Sequence, residues 1–169
     1  MRNRLFMLGV VLALAPFALS APTEAPVLGK LSLDDTKTLG LSIQADEQVK
    51  TEGNASLRIV TKWPTTICLG EVEDLDIEEA QLVYSAKVRS ELEGVAYLEL
   101  WAHLDGGQYF SRGMNSVISA KTDWKTIETP FFFLKGQKPD KVTLNVVING
   151  TGTLWVDDVV LSKKPLETK

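Results

Sequence analysis

The chain has 169 residues, 44% apolar and 24% charged, with 18 lysines and arginines against 22 aspartates and glutamates. The acidic balance has the wrong sign for a phosphate backbone and no basic stripe stands out, so nucleic acid is not an expected partner. One histidine and one cysteine exclude both a zinc site of nitrogen and sulfur ligands and an internal disulfide.

The first 21 residues read as an export signal. Arg2 and Arg4 form a charged start, Leu5 to Ala18 is apolar, and Ala18-Leu19-Ser20-Ala21 supplies the small residues of a cleavage site. The alternative is an uncleaved anchor, for which the stretch is short. Cleavage takes the basic count from 18 to 16 against 22 acidic residues, leaving about 148 residues, enough for one domain with a real core. The expected location is periplasmic or secreted, with no membrane anchor after signal cleavage. Residues 22–27 are a linker, 28–163 the domain and 164–169 a polar tail.

Between linker and tail, short segments alternate at period two, the repeat of a strand with one buried face. The expected strands are Gly29–Leu33, Gly40–Gln44, Ser56–Lys62, Ile67–Val72, Gln81–Ser90, Val95–Leu104, Tyr109–Arg112, Lys125–Leu134, Lys141–Asn149 and Thr153–Leu161. Breakers separate them: Glu52-Gly53-Asn54, Trp63-Pro64, Asp105-Gly106-Gly107, Gly136 and Gly150-Thr151-Gly152. Leu75–Ala80 alone has helical character, a turn or two at most. Cys68, in strand-like surroundings, is expected to be a buried and inert thiol. The fold class is all-β, a two-sheet antiparallel sandwich.

Val95–Leu104 carries the clearest functional signal. Ala96, Leu98, Leu100, Ala102 and Leu104 make one apolar face, while Tyr97, Glu99, Trp101 and His103 share the other. Gln81–Ser90 and Lys141–Asn149 phase the same way, with Lys87 and Arg89 and with Thr143 and Asn145 opposite their apolar positions. If those strands flank Val95–Leu104, a polar outer face surrounds Trp101. Large aromatics on an outer stripe cost solubility unless something covers them.

Four motifs in order carry a resemblance to a known group. They are Gly53-Asn54-Ala55-Ser56-Leu57-Arg58-Ile59, Tyr84-Ser85-Ala86-Lys87-Val88-Arg89, Asp123-Trp124, and Trp155-Val156-Asp157-Asp158-Val159-Val160-Leu161. Together the stretch from Gly53 to Leu161 resembles the galactose-binding-domain-like jelly-roll modules, many of which are carbohydrate-binding modules. The resemblance implies a jelly roll and a glycan or other extracytoplasmic ligand on the concave sheet face. It implies a ligand set of Tyr97, Glu99, Trp101 and His103 with Arg89, Lys87 and Asn145 around them. It also implies a structural calcium at Asp157 and Asp158 beside the Gly53–Ser56 loop, with Asp34 or Asp35 as candidates to complete it. The alternative is that the Asp pair caps a turn or faces solvent. Trp124 and Trp155 stand at motif positions where packing is the usual role, and Trp63 reads as a loop anchor.

No phosphate loop, zinc helix, serine elbow or dinucleotide fingerprint is present, so no enzyme activity is expected. The one catalytic idea the resemblance supports is a polysaccharide lyase using Tyr97, His103, Arg89 and Asn145 for acid–base chemistry and uronate neutralisation. The leading expectation is a non-catalytic carbohydrate binder that requires no cofactor. The alternative is a protein-interaction or structural subunit whose partner covers the same aromatic face.

Overall fold

The computed structural model describes residues 40–166, and the expected export signal, the linker, Gly29–Leu33, Asp34 and Asp35 lie outside them. Seven strands and no helix make up the described chain: β1 Leu41–Asp46, β2 Ser56–Thr61, β3 Thr65–Glu73, β4 Ala80–Leu104, β5 Gly107–Arg112, β6 Ile118–Phe133 and β7 Lys141–Pro165. All pairings are antiparallel. The expected helical turn at Leu75–Ala80 is absent. An extended loop runs there instead, with Asp74 and Glu79 at positive φ and Ile77 inserted into the core.

Two pairs of expected strands are fused. Gln81–Ser90 and Val95–Leu104 are one 25-residue strand, β4, and Lys141–Asn149 and Thr153–Leu161 are one 25-residue strand, β7. These two pair from Ala80 with Pro165 to His103 with Lys141, so residues 164 and 165 are strand as well. At the middle of the ladder Gly94 faces Gly150 and Leu92 faces Gly152. Gly94 and Gly152 have φ of 129° and 124°, in the region L side chains avoid. A Cβ on Gly94 would overlap the Asn149 carbonyl oxygen, and one on Gly152 that of Glu91. The glycines therefore let the two backbones turn together, where a central pair of strands passes from one layer of a sandwich to the other.

The corner divides the sheet. One half carries β5, the second part of β4, the first part of β7, and β3. The other carries β6, the first part of β4, the second part of β7, β2 and β1. Even-numbered residues of β4 from Ala80 to Ala102, Ser90 and Gly94 excepted, join Val142, Leu144, Val146, Ile148, Leu154 and Val156 in a single core cluster. The same face thus points inward on both halves. The Tyr84 hydroxyl, fully buried in this core, has no hydrogen-bond partner among the described residues, and burial raises its pKa well above the usual phenol value.

Candidate functional site

Residues Asp105 and Gly106, both at positive φ, make a two-residue hairpin turn of the kind Asp-Gly favours. That turn fixes the register of β5 on β4: His103 faces Gln108, Trp101 faces Phe110 and Glu99 faces Arg112. Across the other edge of β4, Trp101 faces Thr143 and Glu99 faces Asn145 on β7. Thr143 in turn faces Glu71 on β3. The outer face of this half-sheet is therefore built from odd positions of β4 and β7 and even positions of β5.

Glu99 is its centre. It is only 5% exposed, although it stands on the face turned away from the core. Its Oε1 accepts from Trp101 Nε1 at 2.7 Å and from Asn145 Nδ2 at 3.4 Å. Its Oε2 accepts from Arg112 Nε at 2.7 Å. Burial pushes this carboxyl up, and the bonds from Arg112, Trp101 and Asn145 outweigh it, so it is held below the usual glutamate value of 4.5. Arg112 also lies 4.6 Å over the ring of Phe110, and the Trp101 and Phe110 rings are 5.1 Å apart at 41°. A second chain of contacts runs beside it. The ring nitrogens of His103 approach Thr143 Oγ1 at 3.1 Å and Gln108 Nε2 at 3.4 Å. Thr143 donates to Glu71, whose two oxygens accept from Lys141 Nζ at 2.9 Å.

Tyr97, Glu99, Trp101, His103 and Asn145 are thus brought together on one face. Lys87 and Arg89 are not. The first part of β4 does not flank the second: it is the same strand beyond the glycine corner, so these two side chains belong to the other half. There Lys87 pairs with Asp158 at 3.0 Å. Arg89 and Arg58 cover the Trp155 ring at 5.4 and 5.8 Å. Trp155, 7% exposed, donates to Asp46, which confirms its packing role. Without Arg89 the four-residue set envisaged for a lyase is not assembled. Trp63 is exposed, its ring lying against Gly40, and Trp124 is half-buried. Cys68 is exposed rather than buried, because a bulge between Cys68 and Gly70 leaves it opposite Asn145 on the outer face.

Asp157 joins the last strand to the 51–52 loop directly. Its Oδ2 accepts from Thr51 N at 2.7 Å, Thr51 Oγ1 at 2.9 Å and Glu52 N at 3.2 Å, and its Oδ1 accepts from Asp158 N at 2.8 Å. Burial works upward on this carboxyl and the donors overcome it, lowering its pKa. Amide and hydroxyl hydrogens converge here, whereas calcium needs six to eight oxygens and no hydrogens facing it. This donor set does not fit the ion, and no metal-holding group of three or more His, Cys, Asp or Glu occurs among the described residues.

Sequence reasoning missed Phe110, Arg112 and Glu71 as members of the face. The Asp-Gly hairpin signal was sufficient to find the first two: counting across a two-residue turn pairs 101 with 110 and 99 with 112.

No family model matches the chain, and no curated protein matches it in sequence. Solved structures do match. A family 16 carbohydrate-binding module aligns over 73% of this chain and 86% of its own, with 10% identity and a TM-score of 0.53. A Clostridium thermocellum xylanase 10B chain with CBM22-1 and GH10 modules, complexed with xylohexaose, aligns over 78% of this chain at 15% identity and a TM-score of 0.54. The alignment spans 26% of that longer chain. A xylan-binding domain from family 22 covers 76% of this chain and 85% of its own, at 9% identity and a TM-score of 0.52. The likeness gives the fold: a jelly roll like that of carbohydrate-binding modules.

Proposed function

We propose that the protein is an exported, non-catalytic module that binds a glycan across the face of Tyr97, Glu99, Trp101, His103 and Asn145, with Trp101 and Phe110 as its aromatic platform. The observation that carries this is Glu99. A carboxylate with almost no exposure on an outer face, held by three side-chain donors, makes that face a built surface of fixed geometry. An ordinary solvated face has no such centre. Sugar C–H faces stack on aromatic rings, while planar polar side chains read hydroxyls. Arg112, Gln108, His103 and Asn145 stand around the rings in that capacity, and the fold's likeness to carbohydrate-binding modules agrees. Export rests on the first 21 residues, and N-terminal sequencing of exported protein should begin close to Ala21.

The test is a glycan array followed by calorimetry on the mature protein. Trp101→Ala should reduce binding of the best glycan by about five- to 150-fold, since a stacked ring at the centre of a site contributes about 1–3 kcal/mol. Unchanged affinity in folded Trp101→Ala protein would sink the assignment. A second reading, a protein interface, is favoured by the exposure of Phe110 on this face and of Tyr109, Phe132 and Leu134 at the adjoining β5–β6 edge. Concentration-dependent association in sedimentation velocity would favour it, whereas a monomer would favour the glycan reading.

A further inference from the structure

At edge strand β5 the two halves of the sheet meet, because Ser111 bonds across to Thr129 and Pro130 of β6. A depression of about 420 Å³ lies between β5 and the end of β6, lined by Phe110, Ser111, Arg112, Asn115, Phe131 and Phe132, with Pro130. We propose that this depression is a second sugar subsite, adjoining the Trp101 face through Phe110 and Arg112, so that one glycan chain crosses Trp101 and Phe110 and turns over the β5–β6 edge to reach Phe132. The inference deepens the glycan-binding reading and rests on it.

Phe110 belongs to both surfaces: one side of its ring meets Trp101, and the residue lines the depression. It is 51% exposed and Phe132, opposite Gln81 on the outer side of β6, is 57% exposed. Neither ring is needed in the core, which Phe133 serves on the alternate position of the same strand. Arg112, 4.6 Å over the Phe110 ring, lines the same depression. Glu99 engages its Nε, and among the described residues its terminal amino groups have no protein acceptor within hydrogen-bonding distance. Its side chain is 45% exposed. The guanidinium is thus held in place at one end and offers paired donors at the other, a geometry that matches vicinal hydroxyls or a sugar carboxylate.

The floor is fixed rather than a loose gap. Ser111 Oγ bonds both Thr129 Oγ1 at 2.8 Å and the Pro130 carbonyl oxygen at 2.5 Å, tying β5 to β6. Gly113 donates to the Leu98 carbonyl at 2.8 Å, and a Cβ there would lie 2.6 Å from the Glu128 carbonyl oxygen. This close approach seats the turn that carries Asn115. The volume falls within the range of small-molecule sites, about 300–1,000 Å³, and accommodates a pyranose ring.

The experiment is calorimetric titration of the mature protein with xylo- and cello-oligosaccharides of two to six rings. Wild-type affinity for the series that binds should rise about tenfold, roughly 1.4 kcal/mol, as the chain lengthens beyond what the Trp101 face spans. Phe132→Ala should lose that increment and keep wild-type affinity for the shortest binder, with an unchanged circular dichroism spectrum and melting temperature. Trp101→Ala should weaken binding at every length. If wild-type affinity is flat with length, or Phe132→Ala equals wild type throughout, the second subsite is wrong while the Trp101 face stands. Absence of binding to every oligosaccharide overturns both.

Discussion

Glu99 shows how one side chain can couple stability to binding. Its two oxygens serve three donors, and Glu99→Gln turns one of those oxygens into an amide nitrogen that faces a donor. The substitution should cost about 1–3 kcal/mol. The pH dependence has a definite sign. The carboxyl is held below the usual value of 4.5 in the folded chain, so its contribution is fully present above pH 4.5 and is lost as pH falls through the lowered folded value. Urea midpoints measured from pH 7 to pH 3 should fall less steeply in Glu99→Gln than in wild type. Parallel curves would show that Glu99 contributes nothing to the acid sensitivity. Leu100, fully buried one residue along, should behave differently: Leu100→Ala opens a cavity costing about 2–5 kcal/mol.

At the scale of elements, the paired long strands depend on their glycine corner. Gly94→Ala meets two obstacles together, a φ of 129° and the Asn149 carbonyl oxygen. Gly136 has a φ of 83° with nothing within contact distance of an added Cβ, so Gly136→Ala meets only the first. Thermal unfolding should place Gly94→Ala well below Gly136→Ala, the latter costing about 1–2 kcal/mol of backbone strain. Equal losses would mean that the corner tolerates a side chain by opening. The hairpin of β4 and β5 works at the same scale, because its two-residue turn alone decides that Phe110 lies beside Trp101.

For the molecule as a whole, Asp157 joins the last strand to the loop preceding β2, across 106 residues of sequence. Four donated hydrogens converge on its oxygens, and we propose on that ground that the tie forms without an ion. Melting temperatures in chelator and in excess calcium should coincide, because only a ligand that binds the folded state raises stability by mass action. A rise of several degrees with calcium would show that these donors rearrange around the metal. Asp157→Ala should lower stability under both conditions.

The alternation of Val95–Leu104 determined by itself which side of the strand is core, because a slip of one residue would bury Glu99 and His103 and expose five apolar groups. It also determined the all-β class, most strand positions, and the grouping of Tyr97, Glu99, Trp101 and His103. The neighbours of that group were decided only by the tertiary structure. Gly150-Thr151-Gly152 read as a turn in the sequence, since glycine marks both a chain reversal and a bend within a continuous strand. Only the β4–β7 ladder, a pairing between distant segments, distinguishes these two uses. It turned the expected flanking strand into a continuation of the same one, which carried Lys87 and Arg89 to the other half and gave their places around Trp101 to Phe110 and Arg112.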